Sequence, residues 1–231
     1  MAVILNIDTS TDVCSVALTF DGMVLKHIEN FQGRNHASLL SGFIKECLDH
    51  LKDKGIRLEA ISVSIGPGSY TGLRIGLSEA KGLAYALGIP LIGVSTLKLL
   101  TTSVIFSGLD IDDTTIFIPM IDARRMEVYT AAYDLGLNEL MCPQPLILDE
   151  ESYSGLIATG RDIVLFGNGS DKAIEVLRAP NCRFVSGIKP LAVDMMALSD
   201  LAYSKKEFLD LAYSTPEYLK AFQATKPKNL I

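Results

Sequence analysis

The chain has 231 residues, 48% of them hydrophobic and 21% charged, enough apolar material to bury a sizeable core in one domain or two small ones. Its net charge of −6 gives no overall electrostatic reason to bind nucleic acid, because neutralising phosphates takes cations gathered on a surface. Cys14, Cys47, Cys142 and Cys182 are scattered without a CxxC spacing and are expected to be reduced residues of apolar patterns, not a metal site or disulfide framework.

In chain order, residues 2–7 form a continuous apolar run, as expected of a strand covered on both faces. Asp8 interrupts that run early and no basic segment precedes it, so the expectation is a cytoplasmic protein without a signal peptide. Cys14, Val16, Leu18 and Phe20 then alternate with polar or small residues, and Asp21-Gly22 turns the chain into 23–29. Three antiparallel strands are expected to open the chain. Asn35 is placed to cap a helix over about 36–52, stopped by Gly55. Its apolar face of Leu39, Leu40, Phe43, Ile44, Cys47, Leu48 and Leu51 is wide enough either to be all core or to leave a strip for a partner.

A strand over 61–65 leads into Gly66-Pro67-Gly68, where the glycines supply positive φ or close approach and Pro67 stiffens the loop. Ser69 or Thr71 is expected to cap the next helix, whose first-turn N–H groups face a potential anion position. Gly72, Gly76, Ala80 and Ala84 recur every four residues and line a stripe that lets another backbone come close, within the domain or between molecules. This helix should end near Gly88, followed by a strand over 91–94 and a Ser95-capped helix to about 106. The apolar stretch 83–94 is too short to span a membrane and is broken by Gly88 and Pro90.

Residues 107–113 are the expected boundary between an N-terminal lobe, 1–107, and a C-terminal lobe, 108–231. Asn6-Ile7-Asp8, a polar bend, an alternating strand and Asp21-Gly22 are echoed by Met120-Ile121-Asp122, a polar bend, an alternating strand over 128–133 and Asp134-Leu135-Gly136. That echo points to an internal duplication. A strand over 163–166, Gly167-Asn168-Gly169, a helix over 170–178, a strand over 183–185 and a helix over about 191–204 follow. The tail, 215–219, is read as able to return towards the first lobe. No HExxH, GxSxG or plausible Ser-His-Asp spacing is present, which argues against a protease.

The stretch 66–76, Gly-Pro-Gly-Ser-Tyr-Thr-Gly-Leu-Arg-Ile-Gly, resembles the signature of the TsaB (YeaZ) family. These are bacterial proteins of tRNA threonylcarbamoyladenosine (t6A) modification, historically grouped as glycoprotease-like (Gcp-like). The resemblance continues at 7–11 (Ile-Asp-Thr-Ser-Thr), 35–40 (Asn-His-Ala-Ser-Leu-Leu), 121–129 (Ile-Asp-Ala-Arg-Arg-Met-Glu-Val-Tyr) and 216–219, so it spans essentially the whole chain. One departure is the helix start, Asn-His-Ala-Ser-Leu-Leu-Ser in place of the commoner His-Ser-x-x-Leu-Leu-Pro.

The resemblance implies an α/β, two-lobed ASKHA fold (actin, chaperone-ATPase, sugar-kinase), each lobe a mixed sheet with helices. It implies a non-catalytic scaffold or activator subunit that docks the catalytic paralogue TsaD and helps recruit the ATPase TsaE. It further implies a homodimer when alone, tRNA contact only through the complex, and no membrane. The partner interface would comprise His36, Leu39, Leu40, Phe43, Cys47, Gly72, Leu73, Gly76, Ala80 and Ala84. A vestigial nucleotide cleft would comprise Asp8, Thr9, Ser10, Asp122, Gly167, Asn168 and Gly169, although the same aspartates equally serve tight turns and Gly-Asn-Gly is an ordinary connector.

Related catalytic members carry His-x-x-x-His, which puts two imidazoles on one helical face. Here His36 is followed at i+4 by Leu40. No cofactor is expected of this chain alone, and ATP or ADP and a metal are left to the complex. The alternative is a stand-alone ASKHA-type ATPase or small-molecule kinase using Asp8 and Asp122.

Overall fold

Ile4–Asp8 (β1) is buried along its whole length, its polar Asn6 satisfied by Thr19 and Ser199. Around it, in a computed structural model that describes residues 2–33 and 35–220, stand Cys14–Phe20 (β2), Met23–Asn30 (β3), His36–Asp53 (α1), Ala60–Gly66 (β4), Tyr70–Leu87 (α2) and Leu91–Ser95 (β5). Thr96–Ile105 (α3) leads to the second half: Ile116–Asp122 (β6), Glu127–Tyr133 (β7), Glu139–Ile147 (β8), Ser154–Ile157 (α4), Ile163–Phe166 (β9), Ser170–Val176 (α5) and Cys182–Val185 (β10). A 3-10 turn, Ala192–Met195, then runs into Met196–Lys205 (α6).

Among the described residues the strands make two five-stranded sheets, ordered β3-β2-β1-β4-β5 and β10-β9-β6-β7-β8. Read from the meander outward, the two orders are the same. In each, three antiparallel strands are followed by two parallel ones, Ile4 pairing with Thr19 and Ala60 in the first sheet and Ile116 with Ile163 in the second. The duplication expected from the repeated Asp-turn-strand grammar is therefore present in the topology, and so is the expected α/β arrangement of two lobes, each a mixed sheet with helices. Asp21 and Gly22 both take positive φ, the primed-turn geometry that suits a two-residue hairpin. Strand β8 is not evident in the sequence because it carries Pro143 and Pro145; it lies at the sheet edge, where a missing N–H is tolerated.

Helix caps follow the sequence in position more than in chemistry. Ser69 is the cap of α2, its Oγ accepting from Gly72 N at 3.2 Å, and Gly88 closes the helix in the left-handed region. Asn35 and Ser95 occupy the N-cap positions of α1 and α3, but neither side chain makes a capping bond.

Four packed clusters hold the layers. Leu40, Ile44, Cys47, Leu77, Ala80 and Ala84 of α1 and α2 cover one face of the first sheet. Ala192, Met195, Leu198 and Ala202 cover the other, against Ala2, Ile4, Ala17 and Ile92. Helix α3 is shared, with Leu99 against the first sheet and Leu97, Leu100 and Val104 against Phe117, Tyr133 and Phe166 of the second. The outer face of the second sheet is closed by α4 and α5.

The lobe division needs one correction. The expected split assigns everything from 108 onward to the second lobe, with only the tail returning, and its last residues, 221–231, lie outside those described. The chain crosses back much earlier: Ala192 N donates to Ser15 Oγ at 2.9 Å, and Ser199 Oγ lies 2.6 Å from Asn6 Oδ1 and 2.8 Å from Ser62 Oγ. Leu209 N then donates to Leu91 O at 2.8 Å and Glu217 N to Ile65 O at 2.7 Å. A second-half helix thus completes the first lobe's core, since β1 and β4 are buried on both faces, and Ser199 meets the polar Asn6 and Ser62 on the face it covers. Among the described residues no helix is long and apolar enough to cross a membrane.

Candidate functional site

The carboxyl ends of β1 and β4 place the turn Asp8-Thr9-Ser10 directly beneath the start of α2. Ser69 N donates to Ser10 O at 2.7 Å, and Thr9 Oγ1 donates to Gly72 O at 2.8 Å. A Cβ at Gly68 would stand 2.3 Å from Ser10 O, at Gly72 2.1 Å from Thr9 O, and at Gly76 2.3 Å from Thr9 Oγ1. The glycines at 68, 72 and 76 therefore let the chain's own β1–β2 turn press against one side of α2. That contact accounts for the glycine spacing of the signature without any second molecule.

The expected partner interface is corrected on the same ground. His36, Leu40, Cys47, Gly72, Leu73, Gly76, Ala80 and Ala84 are all buried within the chain, so they hold the two helices to the sheet and turn. Of the expected set only Leu39 and Phe43 keep part of their surface. Beside them the outward side of α2 offers half-buried Ile75 and Leu83 and, at 81% exposure, Tyr85. Ser41 Oγ donates to Glu79 Oε1 at 2.6 Å across the two helices.

Asp8 and Asp122 are equivalent in sequence but not in environment. Asp8 is wholly buried. Its Oδ1 accepts from Ser10 N at 3.3 Å, while Oδ2, Ser10 Oγ and Ser64 Oγ have no partner in hydrogen-bonding geometry. Burial pushes its carboxyl up to about 6, against the opposing pull of the Ser64 and Ser10 hydroxyls, the Ser10 N–H and the His36 ring. His36 Nε2 donates to Val13 O at 3.0 Å, which ties the start of α1 to the strand entering β2.

Asp122 is exposed, and its Oδ1 accepts from Arg124 N at 2.6 Å and from the Lys172 ammonium. Its own N–H donates to Asn168 Oδ1 at 2.9 Å. A Cβ at Gly167 would meet Met120 O at 2.3 Å, and one at Gly169 would meet Val128 Cγ1 at 2.9 Å. The 167–169 connector is shaped by the end of β6. No local sequence pattern marks Lys172, which reaches Asp122 across fifty positions.

Between the two corners lies a cavity of about 270 Å³ lined by Thr11, Asp12, Leu100, Gly167, Asn168 and Lys189 among others. It falls below the roughly 300–1,000 Å³ of small-molecule sites, and Lys189 Nζ stands 3.6 Å from Asp12 Oδ2 across it. The residues expected to form a nucleotide cleft do not fit a metal–nucleotide pair. Asp8 is sealed under α2, Asp122 is neutralised by Lys172, and the space at Gly167 and Gly169 is taken by the chain's own backbone and Val128. Among the described residues no group of three or more His, Cys, Asp or Glu side chains is placed to hold a metal.

A family model described as "TsaD: tRNA N6-adenosine threonylcarbamoyltransferase" matches residues 24–230. The chain is 38% identical over 135 residues to a protein of Escherichia coli (strain K12) called "tRNA threonylcarbamoyladenosine biosynthesis protein TsaB", covering 58% of this chain and 56% of that one. It is 32% identical over 167 residues to the Bacillus subtilis (strain 168) protein of the same name, covering 71% of this chain and 70% of that one. The alignment thus spans little more than half of the first of these relatives. Among solved structures, "YeaZ from Pseudomonas aeruginosa" superposes with a TM-score of 0.80 at 27% identity, over 95% of this chain and 100% of that one.

Proposed function

The chain belongs to the TsaB (YeaZ) family, and on that premise we propose that it serves t6A biosynthesis as a non-catalytic subunit, docking the catalytic paralogue TsaD and helping to recruit the ATPase TsaE. The names borne by its Escherichia coli and Bacillus subtilis relatives support the process. The observation that carries the non-catalytic reading is the fate of the two aspartates, one buried under α2 and the other spent on Lys172. Transfer of the threonylcarbamoyl group is left to TsaD, tRNA is met through the complex, and the compartment is the cytoplasm. Nucleotide and metal belong to the complex; saturable heat on titrating the isolated chain with Mg-ATP would instead favour the stand-alone ATPase or kinase.

The docking surface in this reading is the outward side of α1 and α2, Leu39, Phe43, Ile75, Leu83 and Tyr85. The buried small residues set its shape from behind. Without TsaD the same surface would pair two copies of the chain.

Phe43→Asp and Tyr85→Ala are expected to weaken co-elution with TsaD from the same organism by tenfold or more, as hot-spot truncations of about 1.4–2 kcal/mol do. The melting temperature of Tyr85→Ala should stay near that of the parent, whereas Phe43→Asp, at a ring packed partly on the core, should lower it. Undiminished co-elution in both variants would remove the assignment of this face, and t6A formed at full rate by TsaD without this chain would remove the function.

A further inference from the structure

We propose that residues 209–220 are a latch that ties the two lobes together, with Lys220 and Glu127 as its closing pair. The segment is fastened at successive points along the first lobe. Leu209 and Leu211 pack on the α1–α2 core, and Lys81 Nζ on α2 donates to Ala212 O at 3.2 Å and Ser214 O at 3.0 Å. Glu217 N donates to Ile65 O at 2.7 Å, extending the end of β4. The Tyr218 ring stands 5.3 Å from that of Tyr70. Arg74 lies 4.0 Å over Tyr70 and donates from Nε to Tyr218 Oη at 2.9 Å.

Two residues further on, Lys220 Nζ reaches the other lobe, 2.8 and 2.9 Å from the carboxylate oxygens of Glu127. Glu127 begins β7 and is only 18% exposed at its side chain. Its carbonyl accepts from Lys172, the lysine that holds Asp122. The four residues 217–220 therefore join the glycine loop above Asp8 to the turn that carries Asp122.

The strands make room for this segment. A Cβ at Gly66 would fall 2.7 Å from Glu217 O, and one at Gly93 would fall 3.0 Å from Leu209 Cδ1. Glycine inside a strand weakens it, so its presence at 93 is matched to a neighbour that needs the space. The latch is a built contact of both lobes, and its test does not depend on TsaD.

The experiment is hydrogen exchange followed by mass spectrometry on the full chain, comparing Lys220→Glu, Glu127→Lys and the double variant. Each single variant is expected to speed exchange by about threefold or more both in 209–220 and in 123–130, since protection follows local opening. The charge-swapped double variant should return both segments towards the parent, because a pairwise term survives exchange of its partners. Lys220→Gln, milder at the half-buried Glu127, should act in the same direction should either reversal unfold the chain. Unchanged exchange in Lys220→Gln and the singles, acceleration confined to 209–220, or no recovery in the double variant would each overturn the latch.

Discussion

Gly72→Ala is expected to lower the stability of the folded chain by about 3–5 kcal/mol, at the upper end of overpacking costs. The added methyl would stand 2.1 Å from Thr9 O. That oxygen is main chain in a turn pinned by Ser69 N on Ser10 O and by Thr9 Oγ1 on Gly72 O, so neither side can yield cheaply. With domains of this kind stable by roughly 5–15 kcal/mol, much of the margin would go.

Gly82→Ala is the control, on the same helix with nothing within 4 Å of the added carbon. It should gain roughly 0.5–1 kcal/mol, because alanine loses less backbone entropy on entering a helix. Urea unfolding of the isolated chain reads both. A Gly72→Ala protein as stable as its parent would mean that the glycine stripe does not meet the β1–β2 turn.

Asp8→Asn should stabilise the chain by about 3 kcal/mol at pH 7 to 8. The Asp8 carboxyl titrates near 6 when folded, against a reference of 3.8, and each unit of difference is about 1.4 kcal/mol. A raised acid pKa means that the folded state holds its proton longer than the unfolded one. The contribution is therefore fully present below about pH 4, is lost as pH rises towards 6, and stays lost above it. Asparagine keeps an acceptor for Ser10 N and carries no charge to bury. Urea midpoints at about pH 4 should then be alike in the two proteins and should separate by about pH 7.5. A constant offset across that range, or destabilisation at the higher pH, would refute the burial argument.

Local patterns carried most of the fold. The three opening strands, the Asp21-Gly22 hairpin, the ends of α1 and α2 and the echo at Met120-Ile121-Asp122 all depend on neighbours within a few residues, and each is found where the sequence places it. What stayed hidden depends on partners far along the chain. The four-residue spacing of Gly72 and Gly76 shows that something comes close, but Thr9, 63 positions before Gly72, is invisible to it.

Asp8 and Asp122 read as twins because the residues that separate them, Ser64 beneath one and Lys172 beside the other, lie outside any motif. The helical pattern after 191 announces a helix and not which sheet it covers. At β8 the prolines spoke against a strand that only its edge position permits. The partner-facing strip was half legible: an apolar face as wide as that of α1 had to be shared, yet which residues fell inward was decided by the sheet beneath.

The placement of α3 bears on how the halves can behave. With Leu99 wedged into one β-layer and Leu97, Leu100 and Val104 into the other, this short rod belongs to both bodies at once. Cutting the gene after codon 107 would strip one body of its lining and leave the other with a greasy stump, so neither piece is a free module.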